Sequence, residues 1–235
     1  MALSLLARPS PNHDRRRLGP PDMLILHYTG MSSAAAALDR LCDPAARVSA
    51  HYLVEEDGRI WQLVPEARRA WHAGESGWLD RRDINAHSIG VEIVNPGHEL
   101  GYRAFPDEQI AAVAELCRGI MARWRVPRRF VLGHSDVAPH RKQDPGERFP
   151  WDALARAGIG IWPDFSAAPA GVPGSAGELQ AALAAFGYDL APTGTLDART
   201  AVVVTAFQRH FRPRNCDGVA DLETRRRAAL VAAAV

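Results

Sequence analysis

The segment Gly133-His-Ser-Asp-Val-Ala-Pro-His-Arg-Lys-Gln-Asp-Pro-Gly146 gathers two histidines, a lysine and two aspartates in a stretch too rich in Pro and Gly for a regular helix. It follows Arg129-Phe-Val-Leu132, which reads as a short buried strand. Reactive side chains on a loop after such a strand are presented from a rigid base. Imidazole and carboxylate together suit zinc. A catalytic zinc site uses three protein ligands and keeps one position for water, so the remaining groups must come from elsewhere in the chain.

The candidates are His27, His51, His72, His87, His98, His134, His140, Asp136 and Asp144. Position separates them. His27 closes the apolar run Met23-Leu-Ile-Leu26, and His134 follows the run ending at Leu132. If those two strands are parallel neighbours, both imidazoles emerge at one sheet edge. Asp144 lies ten residues beyond His134, enough chain to fold back, with His140 as its competitor. Asp136 is expected to orient nearby backbone, and His51 to close a core hydrogen bond. Glu92 stands within Ser88-Ile-Gly-Val-Glu-Ile-Val94, where a carboxylate is costly unless it is paired or in use.

The elements that must position these groups follow from periodicity. Met23–Tyr28 and 88–94 read as buried strands, and Ser32–Leu41 as a helix capped by Ser32 or Ser33. His51–Val54 and Arg59–Val64 flank Glu56-Asp-Gly58, a hairpin signal. Pro106–Trp124 has helical spacing, with Ile110, Val113, Leu116, Cys117, Ile120 and Met121 on one face. A short helix begins at Pro150. The Pro-rich stretch 161–175 reads as a linker, followed by helical patterns near 176–187, 197–210 and 221–233. The fold expected is α/β, a mixed central sheet flanked by helices, plus a small C-terminal three-helix domain. The divisions are an N-terminal arm (1–21), a catalytic domain (22–160), the linker (161–175) and the helical domain (176–235). No long-period repeat is evident.

Composition narrows the classes. With 235 residues, 47% hydrophobic, the chain can bury a real core. A formal charge of +1 gives no field that favours nucleic acid or an anionic membrane. Cys42, Cys117 and Cys216 form no CxxC pair, which argues against a thiolate metal site. Cys42 and Cys117 are expected in the core. No apolar stretch approaches the ~18 residues of a membrane span, and Arg8, Pro9 and Pro11 break the first apolar run before it resembles a signal. The expected location is cytoplasmic, with the cell envelope as the alternative.

Leu26-His-Tyr-Thr29, Ser49-Ala-His-Tyr-Leu-Val54, Asp57-Gly58, Ala70-Trp-His-Ala-Gly74, Asn85, Ser88-Ile-Gly-Val-Glu-Ile-Val-Asn95, Gly133-His134, Ala138-Pro139 and Arg141-Lys-Gln-Asp-Pro-Gly146 closely resemble the zinc-dependent N-acetylmuramoyl-L-alanine amidases of the type 2 class. The resemblance covers about residues 20–160. Gly187-Tyr188, Gly194-Thr-Leu-Asp197, Thr200 and Ala206-Phe-Gln208 resemble a three-helix peptidoglycan-binding module.

The first resemblance implies one zinc ion on His27, His134 and Asp144 and catalytic roles for Glu92 and Lys142, the lysine lying near the metal; His140 becomes a rim residue. In an extended loop, Lys142 and Asp144 would point to the same side. Tyr28, Trp71, His72 and Asn95 are expected to meet substrate. The activity implied is hydrolysis of the bond between muramic acid and L-alanine, on peptidoglycan or muropeptide, with no nucleic-acid partner and no membrane insertion. The rivals are a catalytically inert recognition protein on the same fold and a metallopeptidase that cuts within the stem peptide.

Overall fold

The structure is a computed structural model that describes residues 4–235; the first three residues of the expected arm lie outside the described residues. Its strands are β1 (Leu5–Ala7), β2 (His13–Arg15), β3 (Met23–Tyr28), β4 (Tyr52–Val54), β5 (Ile60–Gln62), β6 (Arg68–Ala70), β7 (Gly77–Trp78), β8 (Arg81–Arg82), β9 (Ser88–Ile93) and β10 (Val131–Gly133). Six of them form one mixed sheet in the order β1-β5-β4-β9-β3-β10. Its only antiparallel pair is β4–β5, the hairpin turned at Gly58. The arm adds β1 to one sheet edge and pairs β2 with β6, and Ser10 and Asn12 are buried by hydrogen bonds to Leu41, Asp43 and Val48. Backbone pairing thus ties the described part of the arm to the sheet.

Alternation along β3 and β9 sorts the two faces of the sheet. Leu24, Leu26, Ile89, Val91 and Ile93 pack against Val113, Leu116, Cys117 and Ile120 of α4 (Asp107–Trp124). Buried Gln109 takes a place on that face, while Ile110 and Met121 are only half-buried. Met23 and Ile25 point the other way, toward Leu132, Trp78 and Val137. The same cluster contains Leu179, Leu183 and Phe186 of α7 (Ala176–Phe186), Phe207 and Phe211 of α8 (Ala198–Phe211), and Val231 of α9 (Leu222–Ala233). The helical tail therefore covers the second face of the six-stranded sheet. Trp162 and Phe165 of the Pro-rich stretch pack on Phe211. The tail does not hang from a free tether, because the sheet's apolar face needs a cover.

Some expectations are corrected. Arg128–Phe130 forms a 3₁₀ turn after Pro127, so the strand before the loop is confined to β10. Cys117 is buried, whereas Cys42 is half-buried at the end of α1 (Ala34–Cys42). A loop motif does recur in the tail. Gln180 binds Gly194, Thr195 and Thr200 as Gln208 binds Gly218, Val219 and Thr224. Asp197 caps α8 and Asp221 caps α9. Only these few polar positions repeat, too sparse a pattern to stand out in sequence.

Candidate active site

β3 lies between β9 and β10, parallel to both. His27 is the register partner of Glu92, and Gly133 that of Leu26, so His134 follows directly beside His27. Parallel strands in register send these side chains to one face. His134 opens α5 (His134–Val137), and the loop after α5 brings Asp144 back over them. The expected juxtaposition of two strand ends is the one observed.

His27 Nδ1, His134 Nδ1 and Asp144 Oδ2 stand 2.9, 3.0 and 3.1 Å from one another. All three residues are buried, and theirs is the group of possible metal donors found among the described residues. Two bare imidazole nitrogens facing each other at hydrogen-bond distance beside a carboxylate are what a single cation would hold, and spacing near 3 Å matches donors about 2 Å from a common centre. Burial, with His134 alongside, lowers the His27 imidazole to about 4. Burial alone would raise the Asp144 carboxyl, but His134 and His27 outweigh it and hold it well below the carboxylate range. A neutral imidazole and an ionised carboxylate are the ligand states a metal requires.

Outer partners fix the tautomers. His134 Nε2 donates to the Ala73 carbonyl at 3.0 Å, which leaves its Nδ1 lone pair free. His27 is fixed by a chain with one direction. Ser88 Oγ donates to the Ile84 carbonyl at 2.6 Å, so it accepts from His72 Nε2 at 3.2 Å; His72 Nδ1 then accepts from His27 Nε2 at 3.0 Å. His72 lies over Gly90, where a Cβ would come within 2.5 Å of the ring. Ser88, Gly90 and Glu92 share the site face of β9, the two small residues making room for the imidazole. That alternation is the sequence signal that marks Ser88 and Gly90, and it was missed.

Glu92 has one carboxyl oxygen, Oε2, buried with no hydrogen-bond partner. Burial pushes its carboxyl well above the usual range; Asp144 adds to the shift and Lys142 opposes it. An orphaned, protonation-prone carboxyl beside a donor triangle is suited to handling a proton. A cleft of about 330 Å³ opens over the group, lined among others by Tyr28, Trp71, Glu92, His98, Lys142 and Gln143. Lys142 sits in a turn closed by its N–H to the Ala138 carbonyl and not in an extended strand, yet it lines the cleft together with Asp144.

The other expected contacts divide. Tyr28 and Trp71 face the cleft; Tyr28 Oη also pairs with His98 Nδ1 at 3.0 Å, and His98 Nε2 with Glu147 at 3.1 Å. His72 is a floor residue whose ring nitrogens are both taken by protein. Asn95 is buried outside the cleft, its amide donating to the Arg103 carbonyl and accepting from the Gly97 N–H, so it offers substrate nothing. His51 has no exposure and bridges the Gly90 N–H and the Arg68 carbonyl. His140 is exposed and lines a separate surface pocket with Pro139, Asp189 and Arg199, so it is not a rim residue of the cleft.

A mixed α/β sheet whose edge carries a two-histidine, one-aspartate triangle next to a carboxyl of raised pKa has the layout of a single-metal hydrolase. The family model for N-acetylmuramoyl-L-alanine amidase matches residues 17–147, and the chain belongs to that family. A model described as a putative peptidoglycan binding domain matches residues 174–227. The chain is 39% identical over 86% of its length to N-acetylmuramoyl-L-alanine amidase AmiD of Escherichia coli, covering 79% of that protein. It is 33% identical over 61% of its length to 1,6-anhydro-N-acetylmuramyl-L-alanine amidase AmpD of Citrobacter freundii, covering 84% of it. Solved structures agree. The E. coli AmiD complex with anhydro-N-acetylmuramic acid-L-Ala-D-γ-Glu-L-Lys superposes with a TM-score of 0.78, covering 92% of this chain and 91% of that one. AmpDh3 of Pseudomonas aeruginosa with anhydromuramic pentapeptide, 37% identical, gives 0.79 over 95% and 93%. Among the described residues no helix is long and apolar enough to cross a membrane.

Proposed function

We propose that the chain hydrolyses the amide between the lactyl group of N-acetylmuramic acid and L-alanine, on muropeptides or peptidoglycan, with one zinc ion held by His27, His134 and Asp144. The observation that carries this reading is the donor triangle with Glu92 as the in-register neighbour of His27. Zinc bound there would supply Lewis acidity to the scissile carbonyl and acidify water. Glu92 takes the proton of the attacking water and delivers it to the departing amine of L-alanine, a shuttle for which a raised pKa is suited. The Lys142 ammonium faces the oxygen on which negative charge develops. Tyr28 and Trp71 line the cleft that seats the glycopeptide.

The muropeptides named with the E. coli and P. aeruginosa relatives support small anhydro-muropeptides as substrates. The same reading divides the chain into arm (1–21), catalytic part (22–160), connector (161–175) and a tail (176–235) that meets wall material. The cytoplasmic expectation goes with soluble muropeptides; cell fractionation checks it, and recovery in the envelope fraction would replace it with turnover of the polymer in place. The central test is metal analysis together with mass analysis of digests of anhydro-muropeptides and of intact sacculi. Release of free stem peptide by a protein holding one zinc is expected. Cuts within the peptide would overturn the reading, as would an inert, metal-free protein that still binds the glycopeptide.

A further inference from the structure

Asp136 is a carboxylate whose side chain has 0% exposure. Such a group is tolerated inside a protein only when its oxygens are fully engaged. Oδ2 accepts from the Gly133 backbone N–H at 2.8 Å and from His210 Nδ1 at 2.8 Å; Oδ1 accepts from the Tyr188 hydroxyl at 2.6 Å. Two of the three donors belong to the helical tail, Tyr188 just beyond α7 and His210 on α8. A carboxylate only accepts, so His210 Nδ1 carries the hydrogen. Its ring is stacked between Trp151 at 3.8 Å and Phe211 at 4.0 Å, with interplanar angles of 19° and 4°, so the donor cannot swing away.

The backbone that Asp136 holds is the one that presents the site. Gly133 immediately precedes His134, and the Ser135 N–H donates to the Asp144 carbonyl at 2.9 Å. The turn at 133–135 therefore carries one member of the donor triangle and ties down the backbone of another. The contact is part of a wider fit. Leu79 N–H donates to the Gly187 carbonyl at 2.7 Å, and a Cβ on Gly187 would run into the Trp78 indole.

We infer that Tyr188 and His210 are positioning residues for the metal site: through Asp136, the helical tail sets the backbone that aims His134 and Asp144. This rests on the metal reading given above. It makes the tail a working part of the amidase centre in addition to any contact it makes with wall material. Neither residue touches substrate, and their effect passes through one carboxylate.

The test uses full-length proteins and reads zinc affinity by chelator competition, kcat and KM on a soluble anhydro-muropeptide, and Tm. Tyr188→Phe deletes one oxygen and keeps the packing. His210→Leu deletes the donor, whereas His210→Asn keeps an N–H at the same remove from the backbone; both lose the ring, so their difference reports the hydrogen bond. Phe186→Leu loosens the same interface without touching Asp136. Tyr188→Phe and His210→Leu should weaken zinc binding about tenfold, at the low end for outer partners of a metal site, and lower kcat with KM nearly unchanged. His210→Asn should recover most of the loss, and Phe186→Leu should bind zinc as the parent does. Parental zinc affinity in Tyr188→Phe and His210→Leu overturns the inference, as does an equal loss in Phe186→Leu. If His210→Leu fails to fold, Tyr188→Phe decides alone. A parent protein that takes up no zinc overturns the metal reading itself, and is recognised before any variant is compared.

Discussion

At the scale of single residues, the site depends on which atom holds each proton. Glu92 keeps an unpartnered buried oxygen and a raised pKa, and the pull of Lys142 does not offset its burial as a structural ion pair would. Glu92→Ala should therefore keep zinc and lose about a hundredfold to ten-thousandfold in kcat, the range for a general acid–base group. Metal content and kinetics on one preparation check this; retained activity would remove Glu92 from the mechanism. His72 acts one step back. Because Gly90 makes its only room, Gly90→Ala must displace the ring and break its bond to His27 Nε2. Zinc affinity should fall about tenfold to a hundredfold, and parental affinity in that variant would show that His27 needs no such support. Sequence made Glu92 conspicuous, since a carboxylate among Ile and Val is out of place. It did not reveal the role of His72, because a floor histidine and a substrate-facing one look the same until the neighbouring strand is known. Asn95 misled for the opposite reason: the motif containing it is intact, but its amide is spent on a local turn.

At the scale of elements, the site depends on where parallel strands stop. β4 and β9 end side by side; the Val54 carbonyl still accepts from the Val94 N–H at 2.9 Å, whereas the Val94 carbonyl meets no further strand. Gln109, fully buried on α4, donates to both, at 3.1 and 2.9 Å. Gln109→Ala would leave the buried Val94 carbonyl unpaired, take one of two donors from the Val54 carbonyl and open a small cavity, at a cost of about 1–3 kcal/mol. Urea unfolding should give a lower midpoint with an unchanged slope, and a midpoint within error of the parent would mean water replaces the amide without loss. The strands β3 and β9 and the helix α4 were legible because long runs fix period and length. The arm was not, since its strands owe their existence to a sheet edge formed by distant residues. Neither was the inward place of Gln109, because polarity alone assigns glutamine to the surface.

For the whole molecule, the tail closes the face of the sheet left open by α4. Its helices were predicted from pattern; their union with the catalytic core was not, because a Pro-rich stretch reads the same whether it tethers a free module or lies along a surface. The enclosure it completes has a consequence for acid stability. Burial lowers His27 to about 4 and His51 to about 3, and His72 well below its ordinary value. Each imidazole is neutral in the folded protein and takes up a proton on unfolding once pH falls below about 6.5. Between that value and the folded pKa the unfolded state binds more protons, so stability is complete above about pH 7 and declines as pH falls. Each group contributes a slope of about 1.4 kcal/mol per pH unit until its folded pKa is passed. Asp144, held low in the fold, extends the loss below about pH 4. Bound metal acts in the same direction, since acid competes for its ligands. Urea midpoints measured from pH 7.5 to 4.5 on metal-free protein should therefore fall steeply below about 6.5, and His51→Gln should reduce the slope by about one proton. A flat profile over that span would mean that these histidines are already charged in the folded protein, and a neutral His27 imidazole poised for a metal would then have to be abandoned.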